Sequence, residues 1–201
     1  MYFTLPNLLT LFRIVLIPVL GLAFLLPMPW ANWCAVLVFA VASITDWFDG
    51  YLARRLGQTS AFGAFLDPVA DKLIVAVALV ALLTYNNTII FAVPAAVIIG
   101  REIAVSALRE WMAELGQRAS VAVSMVGKIK TTAQMVAILI LLLGQDLFGL
   151  PLQTIGLLLL YVAAVLTLYS AILYLKAAWE VLRQEAVPTA GSQPGSRKRK
   201  A

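Results

Sequence analysis

Histidine is absent from all 201 residues. The chain therefore has no imidazole to serve as base beside a serine or cysteine, or to ligate a transition metal. Cysteine occurs once, as Cys34 in an apolar run, which excludes an intramolecular disulfide and leaves a thiol that behaves as a small hydrophobe. Charge is scarce too, since 12% of residues are charged against 62% hydrophobic. That balance, with a mean hydropathy of +0.94, lies far outside the range of a soluble domain and is that of an integral membrane protein. Catalysis by such a chain must use carboxylates, basic side chains or hydroxyls. Internal repeats and nucleic-acid motifs are also lacking.

What is present is a series of apolar runs. Between turn signals they predict helices over 8–27, 32–53, 64–84, 88–109, 120–143 and 152–182, enough for six membrane spans at roughly 20 residues each. The segment from Leu5 to Arg13 is expected to run along the interface before turning inward. The connections 27–31, 85–88 and 144–151 carry no Lys or Arg, whereas Arg54, Arg55, Arg109, Arg118 and Arg183 fall on the other side. By the positive-inside rule both termini are expected in the cytoplasm. Residues 1–182 read as one membrane domain and 183–201, ending in Arg197-Lys198-Arg199-Lys200, as a basic disordered tail. The first residues lack a basic region before their apolar run, so no cleaved signal is expected. Trp30, Trp33, Trp111 and Trp179 fall near predicted span ends, where interfacial anchors belong.

Against this background the acids stand out. Asp46-x-x-Asp49-Gly50-x-x-Ala53-Arg54 is followed after eight residues by Gly63-x-x-x-Asp67-x-x-x-Asp71. An ionised side chain at membrane depth costs several kcal/mol unless paired or bound to a cation. At about 100° per residue, Asp46, Asp49, Gly50 and Ala53 share one helix face, and so do Asp67 and Asp71. Pro68 suits a first helical turn, which makes Asp67 a cap or its neighbour. Counting along the helices brings Arg101, Glu102, Lys128 and Lys130 to a similar depth. Four carboxylates need more than one positive charge. Two hard divalent cations, Mg²⁺ or Mn²⁺, would neutralise them and leave coordination positions for a phosphate. The bland alternative pairs the acids with Arg54, Arg55, Lys72 or Arg101, and the glycines could serve helix packing alone.

These fixed positions match D-x2-D-G-x2-A-R-x8-G-x3-D-x3-D, and in them the chain resembles the CDP-alcohol phosphatidyltransferase family. Pro6-Asn7-x-x-Thr10-x-x-Arg13, Gly100-Arg101-Glu102 and Gly127-Lys128-x-Lys130-Thr131-x-x-Gln134 resemble the branch that makes phosphatidylglycerophosphate. The similarity runs over roughly residues 5–182. It implies an all-α enzyme of six transmembrane helices, homodimeric, in the cytoplasmic (inner) membrane with its site facing the cytoplasm. Such an enzyme moves a phosphatidyl group from CDP-diacylglycerol to sn-glycerol 3-phosphate and releases CMP. It further implies that Asp46, Asp49, Asp67 and Asp71 bind two divalent cations and that Asp71 is the general base. Asp46, Gly50, Ala53, Arg54 and Gly63 would hold CDP-diacylglycerol.

An acceptor phosphate needs cationic donors. Arg101 is the foremost candidate, through its planar bidentate fork, with an ion pair to Glu102 or a motif acid as the competing reading. Lys128 and Lys130 point about 200° apart on a regular helix, and snorkelling to the interface competes for both. Thr10 and Arg13 could close the site from the first segment, or serve as a cap and an anchor. Arg109 and Arg118 read as exposed partners of Glu110 and Glu114. The motif reports donor chemistry, so inositol phosphate, serine or phosphatidylglycerol remain alternative acceptors. A cation transporter or a purely structural membrane protein are the readings from other classes.

Overall fold

Runs of Leu, Ile, Val and Ala with few interruptions satisfy their backbone polar groups most readily as helices, and every regular element among the described residues is one. The computed structural model describes residues 5–26, 30–56, 61–114, 125–146 and 149–185, with their side chains except at 5, 6, 47, 49–54, 56, 61, 64, 125–128, 180–182, 184 and 185. Six helices follow in order: α1 (Leu5–Ala23), α2 (Ala31–Leu56), α3 (Ala61–Tyr85), α4 (Ile89–Glu114), α5 (Met125–Leu143) and α6 (Leu152–Glu185). Of the expected disordered tail, residues 183–185 instead complete α6, while the remainder of the tail and Arg118 lie outside the described residues.

Two local expectations are corrected. The stretch from Leu5 to Arg13 does not turn before the first apolar run, because it is the start of one continuous helix. Asn7, Thr10 and Arg13, spaced three apart and all buried, form a polar stripe that needs the protein interior for partners. Helix α3 starts at Ala61, so Pro68 lies inside it and Asp67 is not its cap. A proline there lacks the N–H that would bond the carbonyl four residues earlier, and neighbouring helices make such a break tolerable in a membrane protein.

Helix ends away from the charged residues are secured by local devices. The Thr88 hydroxyl accepts from the Phe91 amide at 3.4 Å at the start of α4, as an N-cap does. The Asp146 carboxylate accepts from the Gln153 amide at 3.2 Å at the start of α6. Helix α5 ends at Gly144, whose φ of +69° is the left-handed C-cap conformation that glycine adopts without strain.

Helix α5 packs on α6, α1 on α2 and α3, and α4 on α6. Their shared core is rich in small residues, among them Ala35, Ala42, Ala78, Ala95, Ala137 and Ala163. Small side chains let membrane helices approach closely, since lipid offers no hydrophobic force between them. The exterior is apolar instead: Leu158, Val162, Val165, Leu168, Ile172 and Leu175 run along the outside of α6, a stripe far too large to face water. Helix α4 and residues Leu152–Trp179 of α6 are long and apolar enough to cross a membrane, while the apolar stretches Asn7–Ala23, Ala31–Asp46 and Ile129–Leu143 are shorter.

Candidate active site

Chemistry-bearing residues from five helices line one cavity of about 800 Å³. Its first wall is acidic. Asp46 comes from α2, and Asp67 and Asp71, one helical turn apart, come from α3. Helix α1 packs behind them and applies its polar stripe. The Thr10 hydroxyl donates to Asp67. The Arg13 guanidinium, fully buried, pairs with Asp71 and lies 3.1 Å from Asp46. One cation thus bridges the first and last acids of the motif, which offsets the repulsion of carboxylates held together.

A second wall takes its basic residues from α4 and α5, with α6 supplying polar partners. The Arg101 guanidinium donates to the Ser170 hydroxyl at 2.8 Å and lies 3.3 Å from Glu102, whose carboxylate also accepts from the Lys130 ammonium at 2.6 Å. Glu102 therefore joins α4 to α5, and Arg101 joins α4 to α6. Arg101 and Lys130 are both buried, and charges so placed persist because each has a partner. At the rim, the Arg109 guanidinium donates to the Tyr174 hydroxyl at 2.7 Å and lies 4.6 Å from the centroid of its ring. The exposed pairing expected for Arg109 is thus a contact with α6. Lys72, next to Asp71 in sequence, donates to Ser106 of α4 and lines the cavity between the walls.

The structure therefore brings Asp46, Asp67, Asp71, Arg101 and Lys130 to one cavity and sets Thr10 and Arg13 against its acids. Gly63 is buried in the first turn of α3. For Asp49, Gly50, Ala53, Arg54 and Lys128 only the helical backbone falls within the described residues. Sequence reasoning missed Ser106 and Ser170, and weighed Lys72 and Glu102 only as ion-pair partners, the one for the motif acids and the other for Arg101. Their signal was weak, because a serine in an apolar helix is ordinary and Lys72 points well away from Asp71 on an isolated helix.

The carboxylate oxygens on the acidic wall are hard donors of the kind that Mg²⁺ and Mn²⁺ take, and a guanidinium seated between two of them marks a place that attracts positive charge. The residues present fit such ions in chemical type. Among the described residues no three Asp, Glu, Cys or His side chains form a group that could hold a metal ion, with Asp49 outside that set.

A family model described as CDP-alcohol phosphatidyltransferase matches residues 3–174. The chain belongs to that family. It is 55% identical over 178 residues, covering 89% of this chain and 96% of the relative, to a protein of Shigella flexneri serotype 5b (strain 8401) named CDP-diacylglycerol--glycerol-3-phosphate 3-phosphatidyltransferase. The same identity and coverage hold for the protein of that name from Escherichia coli (strain K12). The matched region spans every site residue discussed above, so the acidic and basic walls belong to a CDP-alcohol phosphatidyltransferase.

Proposed function

We propose that the enzyme transfers the phosphatidyl group of CDP-diacylglycerol to sn-glycerol 3-phosphate, giving phosphatidylglycerophosphate and CMP. The observation that carries this reading is a single cavity with carboxylates on one wall and a tethered arginine and lysine on the other. A basic wall suits an acceptor that brings its own phosphate. Relatives that cover almost the whole chain bear the name of that reaction.

In this reading Asp46, Asp49, Asp67 and Asp71 hold two divalent cations, Mg²⁺ or Mn²⁺, which when bound offset the charge that develops on the departing CMP phosphate. Gly50, Ala53, Arg54 and Gly63 receive the nucleotide part of the donor. Arg101, Lys130 and Lys128 receive the acceptor phosphate, with Arg101 already oriented by Ser170 and Lys130 by Glu102. Asp71 takes the proton of the acceptor C1 hydroxyl as its oxygen bonds to the lipid-bearing phosphorus. The pyrophosphate bond to CMP then breaks, so no covalent enzyme intermediate is needed. Thr10 and Arg13 act through the motif acids they contact and not by contact with the acceptor phosphate. Holding both substrates in one cavity turns a bimolecular encounter into a local displacement.

The enzyme spans the cytoplasmic membrane six times in this reading, with both termini and the cavity on the cytoplasmic side. Residues 1–182 form the catalytic domain, 183–201 a basic tail, and the assembly is a homodimer. The exposed apolar flanks of the helices support the membrane setting. Arg55, Arg109 and Arg183 near the final turns of α2, α4 and α6 support the orientation.

The test is CMP release by purified protein supplied with CDP-diacylglycerol, Mg²⁺ or Mn²⁺, and one acceptor at a time from glycerol 3-phosphate, inositol phosphate, serine and phosphatidylglycerol. Glycerol 3-phosphate should support release, and Asp71→Asn should lower it by about 10²- to 10⁴-fold, the usual contribution of a positioned base. Release with another acceptor and none with glycerol 3-phosphate would overturn the assignment.

A further inference from the structure

Gln134 lies on α5 one turn beyond Lys130, on the same helix face, and lines the cavity with it. It is 3% exposed, and its amide oxygen is buried with no hydrogen-bond donor among the described residues. A buried acceptor left in that state is unfavourable, so it points to a donor that arrives with a ligand. Arg101 Nε in the same cavity is buried and lacks an acceptor in the same way. The two unmet groups are of opposite kinds. A phosphate oxygen answers the arginine N–H, and an O–H answers the glutamine oxygen. A small molecule bearing both a phosphate and a free hydroxyl satisfies the pair at once.

Resting on the proposed reaction, we infer that Gln134 sets acceptor specificity by accepting a hydrogen bond from the acceptor hydroxyl that does not react, at C2 of glycerol 3-phosphate. The assignment sets an order along the cavity. Lys130 and Arg101 take the phosphate, Asp71 on the acidic wall takes the proton of the C1 hydroxyl, and the carbon between them carries the hydroxyl that Gln134 meets. Helix α5 rises about 1.5 Å per residue, so Gln134 sits about 6 Å farther along the helix from Lys130, a distance that suits a three-carbon phosphate. The neighbouring Met135 sulfur accepts from the Ser43 hydroxyl of α2 at 3.7 Å, which ties this turn of α5 to the helix that carries Asp46.

The experiment compares two acceptors, glycerol 3-phosphate and 3-hydroxypropyl phosphate, which keeps the phosphate and the reacting hydroxyl but lacks the one at C2. Wild type should favour glycerol 3-phosphate in kcat/KM by about 10- to 100-fold, because a site built to bond a hydroxyl is left unpaired by the analogue. Gln134→Met should reduce that ratio to within about threefold by losing rate on glycerol 3-phosphate. Gln134→Glu, which keeps an acceptor oxygen and shifts both acceptors' phosphate affinity alike, should retain most of the ratio. Thermal melting with and without CDP in detergent verifies that each variant is folded.

A wild type that does not discriminate, or a Gln134→Met that loses equally on both acceptors or only in KM for CDP-diacylglycerol, overturns the assignment while the proposed reaction stands. A wild type that transfers to neither phosphate but does transfer to another alcohol removes the proposed reaction, and the assignment with it.

Discussion

Arg13 is the residue on which the acidic wall depends. It is fully buried, pairs with Asp71 and lies 3.1 Å from Asp46, so it supplies positive charge where divalent ions are proposed to act. Breaking a fully buried pair costs about 3–5 kcal/mol. Here the two carboxylates are each 40% exposed, and solvent screening lowers the cost to about 2 kcal/mol. Arg13→Gln should therefore melt roughly 4–8 °C below wild type in EDTA, and the gap should narrow in Mn²⁺ as the ion neutralises the same carboxylates. An identical gap in both conditions would show that the arginine has only a packing role. The motif acids and Arg101 were legible in the sequence because a charge inside an apolar run is conspicuous by itself. The partnership of Arg13 was not, because its mates lie 33 and 58 positions away in the chain and only helix packing makes them neighbours.

Helices α5 and α6 approach closely at a single glycine. A Cβ on Gly156 would come within 2.8 Å of Leu141 Cγ and 3.1 Å of Ile140 Cγ2. Gly156→Val should therefore force the pair apart at a cost of about 1–3 kcal/mol, seen as a lower melting temperature in detergent. Gly144→Ala meets a left-handed φ, with the movable Asn32 amide beside the new Cβ, and should destabilise by about 1–2 kcal/mol. Gly100→Ala is the contrast, since nothing lies within 4 Å of its Cβ and alanine favours a helix by about 1 kcal/mol. Stability there should hold or rise. A uniform response of all three glycines would show that local propensity, not helix approach, governs them. Element positions were mostly readable from apolar runs and turn residues. The start of α3 was not, because Pro68 reads as a boundary by local rules and becomes an interior residue only once neighbouring helices support the turn before it.

For the whole molecule, the strongest consequence of the proposed orientation is sidedness. In a Cys34→Ser background, a cysteine at Asn87 or Asp146 should react with a membrane-impermeant maleimide added to intact spheroplasts. One at Arg55 should react only after permeabilisation. The reverse pattern would place the cavity on the outer face and remove cytoplasmic glycerol 3-phosphate as its acceptor. Composition and hydropathy alone determined that the chain is helical and suited to lipid, and the motif spacing singled out the carboxylates proposed to do chemistry, because both are periodic properties of neighbouring residues. Only the tertiary structure decided how the charges are sorted: acids of α2 and α3 with Arg13 on one wall, Arg101 and Lys130 held by Ser170 and Glu102 on the other, and an unmet Gln134 oxygen in the same cavity. The physical reason is that an ion pair or a buried acceptor is defined by what lies within about 3 Å of it, and in a helical bundle those neighbours come from other helices.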